Sequence, residues 1–284
     1  MLARAMAGIL PPLTERESLE VTKIFSITGN IPAGGSMIKQ RQFRSPHHTT
    51  SQIGLIGGGS NPHPGEVSMA HRGLLFLDEF PEFSRGCLEA LRQPMEDGLV
   101  TISRANGTMS FPAQFMLVAA ANPCPCGFLG DSKRVCKCGV NQIANYQKKL
   151  SGPIMDRIDI HLTVPAVETE KLAIDAEKVN CEDSITVRKR VIKARNIQKN
   201  RFEGLANIHT NSDMKNIHLK KFANLEDKAN LLLKMAINKF GLSARTYFRL
   251  IKVSRTIADL DESDHILEKH IAEALQFRVK SEYL

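Results

Sequence analysis

Apolar residues gather in two short unbroken runs in the first half of the chain, Gly73 to Leu77 and Phe115 to Ala121, and each run stops abruptly at polar residues. Runs of this kind suit strands buried on both faces, as in a parallel sheet whose strand ends carry functional loops. Between them Cys87, Leu88, Leu91 and Met95 recur at helical spacing, which predicts a helix over 87–96. Residues 100–113 predict a hairpin that turns at Ala105-Asn106-Gly107, because Asn-Gly supplies the positive φ angles of a tight turn. From about Ser184 the texture changes. Gly and Pro nearly vanish, and Val187, Val191, Ala194 and Ile197 fall at helical spacing beside Arg188, Lys189, Arg190 and Lys193. Further helices are expected over 225–240, 244–259 and 267–280, with Gly241 as the C-terminal cap of the first. The pattern therefore predicts an α/β domain over 1–170 and a helical domain over 171–284, joined between Glu168 and Asp183.

With 284 residues, 42% hydrophobic and 24% charged, the chain has enough apolar content for a real core. Its longest apolar runs fall far short of the roughly 20 residues of a membrane span. The apolar start, Met1 to Leu10, is followed at once by the acidic Thr14 to Glu20, which argues against a signal peptide. Lys and Arg outnumber Asp and Glu by 38 to 30. Residues 1–170 carry 16 basic against 15 acidic side chains, and residues 171–284 carry 22 against 15, so the excess sits in the helical part. A polyanion such as nucleic acid fits that part, and so does a solvated Lys-rich surface.

Six cysteines are too few for a disulfide scaffold. Four cluster as Cys124-Pro-Cys126 and, nine residues on, Cys136-Lys-Cys138, which points to metal in a reducing compartment. Four thiolates suffice for a closed tetrahedral Zn²⁺ site of structural type, and four reduced thiols in a loop are the alternative. Cys87 reads as a core residue.

Asp78 and Glu79 stand where the first apolar run ends. Strand alternation sends them to different faces, so the first carboxylate can hold Mg²⁺ while the second orients a water for attack on a γ-phosphate. A strand that simply ends in an acidic turn looks the same. The second run ends in Ala119-Ala-Ala-Asn122-Pro123, where an amide can hydrogen-bond both a phosphate and a water, although an Asn before Pro is by itself read first as a turn residue. On the hairpin, Arg104 is a candidate DNA contact, and a lone Arg there is also explained by solvation.

Phe43-Arg-Ser-Pro-His-His-Thr49, Gly57-Gly-Gly-Ser-Asn-Pro62, Pro64-Gly-Glu66, Ala70-His-Arg-Gly73, Leu77-Asp-Glu79, Glu89-Ala-Leu-Arg-Gln-Pro94, Asn122-Pro-Cys-Pro-Cys-Gly127 and Asp156-Arg-Ile-Asp159 together resemble the signatures of the magnesium-chelatase-like AAA+ ATPases, specifically the ComM/YifB group. The resemblance covers nearly the whole chain. It implies an AAA+ P-loop-type parallel sheet followed by a C-terminal helical lid, a cytoplasmic hexameric ring, ATP with Mg²⁺, and action on DNA by branch migration during recombination of incoming strands. It also implies roles: Asp78 as the Walker B ligand of Mg²⁺, Glu79 as catalytic base, Asn122 as sensor 1, Arg157 as an arginine finger acting on a neighbour's nucleotide, and Arg245 as sensor 2. His47 and His48 belong to the motif, and structural hydrogen bonding is the role expected of them.

These 284 residues contain no Gly-x-x-x-x-Gly-Lys-Ser/Thr loop. In the resembling family that loop is followed directly by Met-Leu-Ala-Arg, which is how this sequence starts. Met1 is therefore expected to be an internal Met of a longer protein, with the phosphate loop encoded just upstream. Two other readings stay open: an ATPase motor for metal insertion into a tetrapyrrole, and a subunit that only joins rings or binds DNA.

Overall fold

The computed structural model describes residues 2–31, 37–104, 107–131, 133–150, 153–164, 182–205 and 208–278, which fall into two compact units, Met1–Arg157 and Ile158–Tyr283. Most of the junction expected at 168–183 lies outside the described residues, as do the hairpin residues Ala105 and Asn106 and the side chain of Arg104.

The first unit starts with α1 (Leu2–Ile9) and α2 (Glu15–Ile27). Thr14 and Glu17 close a capping box at the start of α2: the Glu17 N–H donates to Thr14 Oγ1 at 3.2 Å and the Thr14 N–H donates to Glu17 Oε2 at 3.0 Å. Its buried Val21, Ile24 and Phe25 form a small core with Ile38 and Met69. Then come β1 (Phe43–Arg44), α3 (Gln52–Ile56), a two-residue antiparallel ladder of β2 (Gly57–Gly58) and β3 (His63–Pro64), and α4 (Glu66–Met69). β4 (Leu74–Leu77) is the centre of the main sheet, parallel to β1 on one edge and to β7 (Met116–Ala119) on the other. Leu74, Leu75 and Leu77 are fully buried, as the unbroken apolar run requires of a strand covered on both faces. β7 departs from that expectation. Its first three residues are half-buried and Ala119 is exposed, because β7 has a described neighbour on one edge only.

Gly73 sets how closely β1 and β4 approach. A Cβ there would stand 2.2 Å from the Gln42 carbonyl oxygen, the same oxygen that accepts the Leu74 N–H at 2.8 Å.

The helix expected over 87–96 is two helices, α5 (Arg85–Ala90) and α6 (Arg92–Asp97), broken at Leu91. Pro94 explains the break: it lacks an N–H, and its ring would collide with the carbonyl four residues back, that of Ala90. The hairpin expected over 100–113 is present as β5 (Leu99–Arg104) and β6 (Gly107–Pro112), paired with Arg104 opposite Gly107. Val100, Ile102 and Phe111 face the core, and Thr101 and Ser103 bond Ser110 and Thr108 on the open face. α7 (Val140–Lys149) completes the unit's named helices.

The second unit is helical. It contains α8 (Ser184–Arg201), α9 (Asn216–Phe222), α10 (Asp227–Phe240), α11 (Ala244–Leu260) and α12 (Glu268–Gln276). Gly241 caps α10 at φ 59°, as its position in the sequence predicts, and Ser243 accepts the Thr246 N–H to start α11. α10 starts two residues later than expected because Leu225 is engaged in a parallel bridge with Ile266. Leu233, Leu250, Ile251, Ile266 and Ile271 make the core. None of the described helices is long and apolar enough to cross a membrane.

Candidate active site

The backbone knits the ends of β4 and β7 together beyond the strands themselves. Leu77 pairs with Ala119, the Ala120 N–H donates to the Leu77 carbonyl at 2.9 Å, and the Phe80 N–H returns to the Ala120 carbonyl at 2.9 Å. Asp78, Glu79 and Asn122 therefore emerge from adjacent strand ends, and all three are exposed.

The two carboxylates do not part to opposite faces. β4 ends at Leu77, so strand alternation no longer governs them: Glu79 takes a left-handed backbone at φ 49°, and a 3-10 turn follows over Phe80–Glu82. Asp78 Oδ1 accepts the Glu79 N–H at 3.0 Å. Both acids then line a single cleft of about 370 Å³ together with Ser45, Pro46, His47 and His48.

Those four residues follow β1 and are carried there by its parallel pairing with β4. His48 Nδ1 lies 2.9 Å from Glu79 Oε2, and His47 Nδ1 lies 2.9 Å from Thr49 Oγ1, with the two imidazole rings 4.1 Å apart. Arg44 in β1 forks onto both oxygens of Glu66 at 2.6 Å. Hydrogen bonding to Glu66 raises the Arg44 pKa against the opposing effect of burial, and the pair ties β1 to the first turn of α4. The His48–Glu79 contact is the part of the site that sequence reasoning missed. β1 is only two residues long and carries no apolar run, so nothing in the local pattern announces that 45–48 will lie beside 78–79.

Asn122 is held from behind by its backbone, which hydrogen-bonds the buried Tyr146 of α7. Burial, followed by the charge of Glu82, raises the Tyr146 pKa, so its hydroxyl stays protonated.

Arg157 does not point outward. Its Nη2 lies 2.7 Å from Glu96, its Nη1 donates to the Pro153 carbonyl, and its side chain is 9% exposed. Arg245 belongs to the second unit, in the first turn of α11, and is exposed. The four clustered cysteines are brought together, with all four sulfurs within 4.8 Å of one another. Cys87 is buried in the main core, as expected.

Two family models match the chain: magnesium chelatase, subunit ChlI, over residues 1–172, and magnesium chelatase, subunit ChlI C-terminal, over residues 181–278. The chain belongs to the magnesium chelatase ChlI family. Within it the chain is similar to competence protein ComM of Haemophilus influenzae, 44% identical over 279 residues covering 98% of this chain and 53% of that protein. It is also similar to the uncharacterized protein YifB of Escherichia coli, 41% identical over 98% of this chain and 53% of that one. The uncharacterized protein Rv2897c of Mycobacterium tuberculosis is 38% identical over 98% of this chain and 54% of its own length. The chain thus spans about half the length of the curated relatives it matches.

Proposed function

We propose that the cleft at the ends of β4 and β7 is the hydrolytic side of an ATP site, and that the protein works as an oligomeric AAA+ ATPase acting on DNA in branch migration. The observation that supports this best is the convergence of two carboxylates and an amide at neighbouring parallel strand ends, the place where open α/β sheets bind ligands. Asp78 commits one carboxylate oxygen to the Glu79 amide, and its other oxygen is the hard donor that Mg²⁺ prefers. When bound there, the cation would neutralise phosphate charge.

The remaining roles belong to the chain's own groups. Glu79 takes the proton of the attacking water, and His48 steadies the carboxylate from the opposite wall. The Asn122 amide orients the water. Arg157 serves a neighbouring subunit's nucleotide after exchanging Glu96 for phosphate, so a complete site needs at least two copies. Arg245, in the first turn of α11, takes the role of sensor 2 by the family resemblance. The basic excess of residues 171–284, with Lys189, Arg190 and Lys193 exposed on α8, supports DNA as the polymer acted on. Arg104, at the hairpin's end, is a further candidate contact.

The test uses a protein in which these 284 residues are joined to a phosphate loop. In that protein Glu79→Gln is expected to keep ATP binding and lose at least about 10²-fold in turnover, since the amide preserves shape and removes the base. Undiminished turnover in the variant would remove Glu79 from the chemistry. Absence of turnover in the parent, with ATP bound, would favour a subunit that only assembles or binds DNA. Stimulation by a tetrapyrrole-chelating partner rather than by DNA would favour the metal-insertion motor, the reading supported by the name of the family model.

A further inference from the structure

Two residues past Asn122 the chain enters the four-cysteine loop, which none of the proposed hydrolytic steps uses. Cys124 is fully buried, and Cys126, Cys136 and Cys138 are half-buried. The Cys124 sulfur lies 3.4 Å from that of Cys126 and 3.6 Å from that of Cys136, and Cys126 and Cys136 are 3.6 Å apart. A Zn²⁺ with four sulfurs at about 2.3 Å places them about 3.8 Å from one another, slightly more than these three separations and inside the 4.8 Å that encloses all four sulfurs.

The backbone is shaped for the same purpose. Gly127 takes φ 82° and its N–H donates to the Cys124 carbonyl at 3.0 Å, so Cys124-Pro-Cys126-Gly127 is a tight turn that aims two sulfurs to one side. Cys126 sulfur accepts backbone hydrogen bonds from Phe128 and Lys137, and Cys136 sulfur accepts one from Cys138. Each half of the loop thus turns an amide two residues ahead back onto its own sulfur. Such N–H donors stabilise negative sulfur and orient metal ligands. Four thiolates around one Zn²⁺ carry a net charge of −2, and Lys133, Arg134 and Lys137 sit in the intervening loop with Asp131 as its one acid. Asp131 is turned to its own loop, where Oδ1 accepts the N–H groups of Lys133 and Arg134.

We propose that Cys124, Cys126, Cys136 and Cys138 bind one structural Zn²⁺ that clamps the Asn122 loop to the start of α7. Gly139 is the N-cap of α7, immediately after Cys138, and α7 carries Tyr146 back to the Asn122 backbone. The path from Asn122 to Cys124, across the metal to Cys138 and along α7 to Tyr146 therefore closes on itself. All four ligand positions are filled by protein, which makes the ion structural. This reading stands apart from ATP hydrolysis, and its test does not use turnover.

The 284-residue chain, purified without chelators from zinc-supplemented medium, should hold about one zinc per chain by elemental analysis. Cys126→Ser and Cys138→Ser should each weaken zinc binding about 10- to 100-fold or more. If those variants do not fold, the parent protein still decides the matter. Stripped and reloaded with Co²⁺, it should show the sulfur-to-metal charge-transfer band and strong visible absorption of four-thiolate tetrahedral cobalt, both erased by Zn²⁺. Amide hydrogen exchange across 122–138 should quicken on chelation while that of 74–77 changes little. Four freely alkylated thiols with no zinc, two disulfides, or iron with acid-labile sulfide in place of zinc would each overturn the proposal.

Discussion

His71, 2% exposed, has both ring nitrogens committed. Nδ1 accepts the Gln114 N–H at 3.1 Å, which fixes the neutral tautomer with its proton on Nε2, 3.3 Å from Glu20 Oε2. Burial, joined by the charge of Arg72, pushes its pKa down to about 4. Between that value and the ordinary 6.5, the unfolded chain binds a proton that the folded one refuses, so stability falls as pH drops through this window and levels off below it. The full effect is about 3 kcal/mol. Glu20 adds in the same direction: burial raises its pKa, but Arg72 and His71 outweigh that and hold it below the ordinary carboxylate value, so its stabilisation is also lost in acid. Urea midpoints at pH 7 and near pH 4 should show the loss, and His71→Phe should shrink it. At this scale the sequence revealed what lies at the end of an apolar run: Asp78, Glu79 and Asn122. It concealed what depends on contact between distant segments, such as His48 on Glu79 or His71 on Gln114, because no local spacing encodes a pairing 31 or 43 residues apart.

Among elements, the helical unit is pinned by a buried polar cluster rather than by apolar packing alone. Asp259 in α11 is fully buried and accepts from Arg255 Nε at 3.1 Å, from Arg201 of α8 at 2.8 Å and from Asn211 Nδ2 at 2.7 Å. Arg255 also donates to the Asp264 carbonyl at 2.7 Å, which holds the turn that leads to α12. Removing the one carboxylate leaves two guanidinium groups facing each other in a dry site. Asp259→Ala should therefore cost about 3 to 5 kcal/mol in chemical denaturation, far more than an exposed pair. Substituting Lys193, whose partner Glu262 lies on the surface, should cost less than about 1 kcal/mol. The helices themselves were legible from their 3.6-residue period and from Gly241. The cluster was not, since Arg201 and Asp259 read in sequence as ordinary charges on amphipathic helices. The break at Leu91 was legible in principle, because Pro94 is visible in the chain, yet the apolar spacing of Cys87 to Met95 masks it.

For the whole molecule, the placement of Arg157 makes the proposed assembly testable. With the phosphate loop supplied, Arg157→Ala should lose about 10³-fold or more in turnover, as should be expected of a cation acting on a neighbour's phosphate. Mixing it with Glu79→Gln should restore partial ATPase activity, because some interfaces then pair an intact Glu79 with an intact Arg157. No recovery in assemblies proved to contain both variants would count against a shared site. The proposed DNA binding through the basic residues should weaken steeply with salt, in a log–log titration whose slope reports the number of phosphates contacted. The division into an α/β part and a helical part could be read from where Gly and Pro cease. The closeness of β1 to β4 could not, since it rests on one missing Cβ at Gly73. Glu79 carries one more consequence. Its left-handed backbone is a conformation that glycine adopts freely and glutamate does not, so the chain is less stable there than it need be. Glu79→Gly should melt at a higher temperature than the parent, by up to about 1 kcal/mol in stability, since the contact it forfeits joins an exposed carboxylate to a half-buried His48 and is worth little. Selection for durability alone would have put glycine at that bend, and under the proposed reading the carboxylate that stands there instead trades robustness for reactivity.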